Sequence, residues 1–229
     1  MISEIFSDVV RIILVFILIT AALIISTRTL SALVRVYSIQ SFLIAVLACV
    51  LWGMVQEDTL LLIAAITFAA KVILIPSFIG KIQKKIHIRR DLEFSYLKPA
   101  GSIVVSLGLM LMVYVVFSRV LGNFADINPL FFIGAVVGVS LMLMGMLVTF
   151  SRKKTITKVM GYLSMENGLL IFGCFATELP LIVEVVILID LIILVILTTI
   201  LTVGIDSSLD EYQERLIQYH FWQSEEAEE

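Results

Sequence analysis

Thr59-Leu60-Leu-Leu-Ile63-Ala-Ala-Ile-Thr67-Phe-Ala-Ala-Lys71-Val-Ile-Leu-Ile75-Pro76-Ser-Phe-Ile79 holds a single charged side chain. At about 1.5 Å of rise per residue, a helix of this length crosses roughly 30 Å of bilayer hydrocarbon. A membrane barrel would instead need short segments alternating apolar and polar, and the chain has none. Working outward, six more apolar runs appear, at approximately 5–25, 37–55, 99–118, 129–150, 159–176 and 179–205. Composition agrees: the 229 residues are 60% hydrophobic and 15% charged, where a soluble domain has about 45–50% and about 25%. The pattern predicts an all-α, polytopic membrane protein of about seven transmembrane helices. Residues 1–205 form the transmembrane domain, and 206–229 an acidic cytoplasmic tail.

The formal net charge of −3 conceals a segregation. Seven of the 19 acids fall between Asp210 and Glu229. Thirteen of the 16 basic residues fall in segments that the seven runs place on one side: Arg28, Arg35, Lys81, Lys84, Lys85, Arg89, Arg90, Lys98, Arg152, Lys153, Lys154, Lys158 and Arg215. The other side has Arg119 and Arg11. Cytoplasmic loops carry the excess of lysine and arginine, so the N-terminus is expected outside and the C-terminus in the cytoplasm. With most basic residues gathered in loops and a net negative charge, a nucleic-acid reading based on overall basicity is excluded; the cluster around His87 suits anionic lipid instead. Glu4 and Asp8 stand where a cleavable signal has basic residues, so the first run is expected to be retained. Cys49 and Cys174 each lie inside an apolar run, without metal-ligand spacing, and read as small packing residues.

Ionisable side chains within the bilayer cost roughly 2.5–3.5 kcal/mol each on insertion scales and concentrate on ion and proton pathways. Four qualify here: Lys71 in the third run, Glu166 in the sixth, and Glu184 and Asp190 in the seventh. Glu166 and Asp190 fall near mid-membrane, with Lys71 slightly toward the cytoplasm. Glu184 and Asp190 are rotated about 120° from one another and cannot share one narrow face. Lys71 as a purely structural counter-charge to one of the acids is the bland reading, since removing one partner of a buried pair is costly. The functional reading makes the carboxyls proton-exchanging sites. Pro76 cannot donate to the Val72 carbonyl, which predicts a kink beside Lys71.

Other features read as structure. Gly134 and Gly138, four apart, predict close helix contact, and Met142 to Met146 read as packing or lipid-facing surface. No P-loop, HExxH, paired CxxC or nucleophile elbow is present. The tail, with Tyr212, Leu216, Tyr219, Phe221 and Trp222, suits either a solvated segment or docking to a cytoplasmic subunit. Gln40-Ser-Phe-Leu-Ile parallels Glu166-Asn-Gly-Leu-Leu-Ile, and Lys71-Val-Ile-Leu-Ile parallels Glu184-Val-Val-Ile-Leu-Ile. These matches suggest a three-helix repeat of runs 1–3 and 5–7, inverted about the fourth run as in many transporters.

The stretch Gly161-Tyr-Leu-Ser-Met-Glu166-Asn-Gly168, then Glu178-Leu-Pro-Leu-Ile-Val-Glu184 and Asp190, resembles membrane component E of hydrogenase-4 and formate hydrogenlyase-type complexes. Phe68-Ala-Ala-Lys71-Val-Ile-Leu-Ile-Pro76 resembles the matching helix of that family. The last three runs are similar to the small K-type subunit of respiratory complex I. The resemblance implies a non-catalytic membrane-arm subunit of a group 4 nickel–iron hydrogenase-like, redox-driven complex. Its neighbours would be antiporter-like membrane subunits and peripheral nickel–iron and iron–sulfur subunits, with no cofactor in this chain. Glu166 and Glu184 match a membrane glutamate pair and Lys71 the membrane lysine, serving a proton or sodium pathway with Asp190 a further candidate. The alternatives are a scaffold subunit of the same complex and an independent secondary transporter.

Overall fold

A computed structural model of the chain describes residues 2–86, 99–121, 129–152 and 155–175. The chain divides into two compact units, Met1–Ile187 and Leu188–Glu229, and all described residues belong to the first. They form α1 (Ile2–Ser26), α2 (Leu30–Val55), α3 (Asp58–Thr67), a π-helical segment (Phe68–Leu74), α4 (Ile75–Ile86), α5 (Pro99–Leu121), α6 (Pro129–Ser151) and α7 (Thr155–Phe175). The first six apolar runs thus correspond to helical rods. The seventh run, with Glu184 and Asp190, lies outside the described residues, as do His87 and the tail. Among the described residues five helical spans are long and apolar enough to cross a membrane. The all-helical membrane reading therefore holds, at that coarser count.

α2 lies against α1, α3, the π segment, α4 and α7. Its buried residues explain this: Leu30, Leu33, Val34, Tyr37, Gln40, Ser41, Ile44, Ala45, Leu47, Ala48 and Leu51 recur at three- and four-residue spacing, which lines one broad face of a helix. The same stripe corrects a boundary. The second run was expected to begin at residue 37, after Arg35, but Leu30, Leu33 and Val34 extend it inward while Arg35 stays exposed on the helix. Gln56, at φ 61°, turns the chain sharply from α2 into α3, and its N–H caps the Trp52 carbonyl.

The irregularity expected at Pro76 takes the form of the π segment just upstream. The Ile75 N–H donates to the Ala70 carbonyl, five residues back instead of four. The wider turn absorbs a residue in the stretch where proline interrupts the α-helical ladder, and Lys71 sits inside it.

α6 and α7 share the most extensive interface in the described structure, and glycine is the reason. A Cβ on Gly145 would overlap the Met165 backbone nitrogen, and one on Gly138 would come within 2.9 Å of the Phe172 nitrogen. A Cβ on Gly161 would reach 2.7 Å from the Thr149 nitrogen. Between helices in lipid, close backbone approach and dispersion replace the hydrophobic drive, so each missing side chain brings the two backbones nearer. The contact expected from Gly134 and Gly138 is present: α7 lies on both.

α5 is the opposite case. Ser102, Ser106 and Val113 are its buried side chains, while Val104 and Leu111 are 69% and 65% exposed. A helix this apolar and this uncovered fits a hydrocarbon surround, where exposed leucine and valine cost nothing.

Candidate functional site: a buried lysine, glutamate and amide cluster

Three elements converge on one polar cluster inside this apolar bundle. The π segment supplies Lys71, α7 supplies Ser164, Glu166 and Asn167, and α2 supplies Gln40 and Ser41. All six are buried, with Gln40, Ser41, Lys71 and Asn167 at 0% exposure. On α7, Ser164 and Asn167 are three residues apart and so share a face, the one turned to α2. Glu166, next in sequence to Asn167, is rotated toward the π segment.

The Lys71 ammonium lies 3.5 Å from Glu166 Oε2 and donates to Asn167 Oδ1 at 3.4 Å. Asn167 Nδ2 donates to Gln40 Oε1 at 3.2 Å and to Ser41 Oγ at 3.1 Å. Ser164 Oγ donates to the same Gln40 oxygen at 3.2 Å. The chemistry leaves little freedom in these orientations. An ammonium can only donate, so Asn167 must turn its oxygen to Lys71 and its nitrogen to α2. Gln40 must then present its oxygen, leaving its Nε2, also buried, with no hydrogen-bond partner among the described residues. An unsatisfied buried donor costs about 1–3 kcal/mol, a cost the cluster accepts to keep this orientation.

These two contacts of the ammonium, with a carboxylate and with an amide oxygen, are long beside the roughly 2.7–2.9 Å of a tight charge-assisted hydrogen bond. A carboxylate can exchange a proton and an ammonium can move between acceptors, so the cluster is equipped to move charge. Among the described residues, no three His, Cys, Asp or Glu side chains come together as metal ligands would.

Of the four residues expected on an ion pathway, the structure brings Lys71 and Glu166 together; Glu184 and Asp190 lie outside the described residues. The cluster also contains residues to which the charge-based reading gave no role: Gln40, Ser41, Ser164 and Asn167, which entered only within the repeat match and the family-like stretch. Their signal was polarity within runs that are otherwise apolar, at 40–41 and 164–167. These side chains also explain why α7 is absent from the five apolar spans: its polar middle is enclosed by protein and need not be apolar.

Arg152, counted from the sequence among the basic residues of a connecting segment, is 2% exposed. Its Nη2 donates to the Ile25 carbonyl at 3.1 Å and the Thr27 carbonyl at 2.9 Å. These acceptors lie at the C-terminal end of α1, where helices carry orphan carbonyls and a partial negative charge. Burial pushes the guanidinium down to about 10.

No protein-family model, curated protein or solved structure matches this chain.

Proposed function

We propose that this chain is a non-catalytic membrane subunit contributing a proton- or sodium-conducting segment to a redox-driven complex of the group 4 nickel–iron hydrogenase type. Electron transfer belongs to partner subunits, and antiporter-like membrane subunits are its neighbours. The observation that carries the pathway part is the Lys71–Glu166 pair, 0% and 2% exposed and near the middle of two helical rods. Charges are rarely placed there without a pathway to serve. A π segment at the lysine supports the same reading, since such distortions of the helical ladder gather at functional sites. The hydrogenase part is supported by the resemblance of residues 161–190 and 68–76 to component E of that family.

Glu166→Gln keeps size and hydrogen bonding but abolishes titration. In membrane vesicles holding the native complex, it should leave assembly intact and cut ion coupling at least tenfold, the effect of losing one essential proton-transfer group. Unaltered coupling would overturn the pathway. The run of hydrogen bonds from Lys71 through Asn167 to Gln40 favours a second reading, a scaffold in which the charges only hold helices together. Lys71→Met separates the two: a fixed scaffold loses the complex because a carboxylate is stranded, whereas a pathway keeps the complex and loses coupling. Lys71→Arg is the charge-preserving control. Isolation of the tagged chain from native membranes should bring nickel–iron and iron–sulfur subunits with it, and their absence would overturn the assignment to such a complex.

A further inference from the structure

We infer that the crevice between α2 and α3 binds one phospholipid, with an acyl chain in an apolar groove and an ammonium-bearing headgroup over the acids at the α2–α3 turn. The site is separate from the buried polar cluster, and the inference stands whether or not that cluster conducts ions. The groove has a volume of about 590 Å³, and no charged side chain lines it. α2 supplies Phe42, Ala45 and Cys49, α3 supplies Leu61 and Ala65, and the π segment supplies Phe68. Spacings of three and four residues keep each set on one helix face. The hollow has a simple cause: small side chains lie between large ones. Ala45 is buried at the floor, while Phe42, Leu61 and Phe68 stay exposed at the rim. The Phe42 and Phe68 rings meet with centroids 6.3 Å apart and bound the inner end. Toward the other end Phe6 of α1 lies over α2, within 3.6 Å of where a Cβ on Gly53 would stand.

Size and charge choose the occupant. From Phe42 to Gly53 a helix rises roughly 16 Å, about half of the roughly 30 Å of bilayer hydrocarbon and so the depth of one leaflet. A partner helix, about 10 Å across, would need roughly twice this volume over the same length. An acyl chain is slender enough, and an unfilled trough would forfeit the dispersion contacts of its lining. The lining offers no convergent polar groups of the kind that orient a soluble ligand. Polarity begins at the mouth. Asp58 is three residues before Leu61 and shares its face of α3, Glu57 precedes it, and both are exposed. On α1 the exposed Glu4 and Asp8 stand two residues either side of Phe6, and Arg11 is already engaged by Asp8 at 3.3 Å. A rim of one sign concentrates the opposite charge. The headgroup that complements this rim carries an ammonium beyond its phosphate; an anionic headgroup without one is repelled.

Any lipid-facing position touches lipid, so the test reads headgroup preference at the groove against an open surface. A photoreactive benzophenone side chain replaces Leu61 at the rim or, separately, Leu111 on the uncovered face of α5. The full chain, with whatever subunits accompany it from native membranes, is placed in vesicles of equal parts phosphatidylethanolamine and phosphatidylglycerol and irradiated. Mass spectrometry of the chain then identifies the adduct. At position 61 the phosphatidylethanolamine adduct should exceed the phosphatidylglycerol adduct by about fivefold, the scale of one unit charge at a membrane surface. At position 111 the two should be nearly equal. Glu57→Gln with Asp58→Asn should bring the ratio at 61 down to that at 111. Equal ratios at the two positions, or a preference that survives loss of both acids, overturn the proposal. An adduct to protein in place of lipid at 61 means that a neighbouring segment covers the groove, and overturns it outright. A second measurement needs no probe in the groove. Ala65→Phe fills the trough from its rim, and native mass spectrometry of the detergent-purified protein should then count one phosphatidylethanolamine fewer per chain. An unchanged count overturns the site. If the doubly neutralised variant does not fold, the comparison of positions 61 and 111 and the Ala65→Phe count decide without it.

Discussion

Arg152 shows how much one side chain can do at a helix end. Its guanidinium ties α6 to the end of α1 through two carbonyls 3.1 and 2.9 Å away. Without it those carbonyls need other partners in a place largely closed to water. Arg152→Leu should lower the stability of the complex by about 2 kcal/mol, the scale of a hydrogen bond from a charged donor. Arg152→Lys should recover part of the loss, because an ammonium lacks the planar fork. Thermal denaturation of the native complex measures both. The pH dependence follows from the lowered value of about 10. A folded-state value below that of the unfolded chain means the unfolded state binds more protons above about pH 10, so this group makes stability rise with pH only in that strongly alkaline window. Between about pH 6 and 9 the difference between the native complex and Arg152→Leu should be flat; a difference that vanishes below pH 9 would contradict a charged clamp.

Between elements, the α6–α7 contact depends on what is missing from it. Gly145 faces the Met165 backbone so closely that even a methyl group overlaps it. Backbone yields less readily than a flexible side chain, so Gly145→Ala should destabilise by about 1–3 kcal/mol, as overpacking typically does. Gly108 on α5 is the control, since nothing lies within 4 Å of its added Cβ. Gly108→Ala should be neutral or stabilise by up to about 1 kcal/mol through helix propensity. Equal thermal stabilities for the two variants would mean that the two backbones do not approach as described. This interface also matters to the polar cluster. Glu166 and Asn167 immediately precede Gly168, whose own added Cβ would reach the Met142 backbone, so the spacing of the two helices helps to set the height and rotation of the charged pair.

Across the whole molecule, the distribution of lysine and arginine makes a claim about orientation. Thirteen of 16 on one side predicts that a cysteine introduced near Asp126 is labelled in intact cells by an impermeant reagent, and one near Lys84 is spared. The reverse labelling would overturn both the topology and the helix count that underlies it. Arg152 and Arg35 qualify the weighting, not the direction: the first is buried as a clamp and the second lies on α2.

What the sequence determined by itself was local in origin. An apolar run long enough to span hydrocarbon must satisfy its backbone internally, so it becomes a helix wherever it sits. Lys71 and Glu166 were conspicuous for the same reason, as charges in runs that exclude charge. Gln40, Ser41, Ser164 and Asn167 drew little notice because an uncharged polar residue inside an apolar run does not stand out as a charge does. Tertiary structure decided which residues meet. Rise per residue gives depth along a helix axis, but the rotation of each helix about that axis depends on its neighbours. Only packing could pair Lys71 with Glu166 and Asn167, and only packing could carry the Arg152 guanidinium to the end of α1. The π segment belongs with these outcomes. Pro76 announced a fault in the ladder, through a lost hydrogen bond and a ring that crowds the carbonyl four residues back, but how the backbone closes around that fault depends on packing against neighbouring helices.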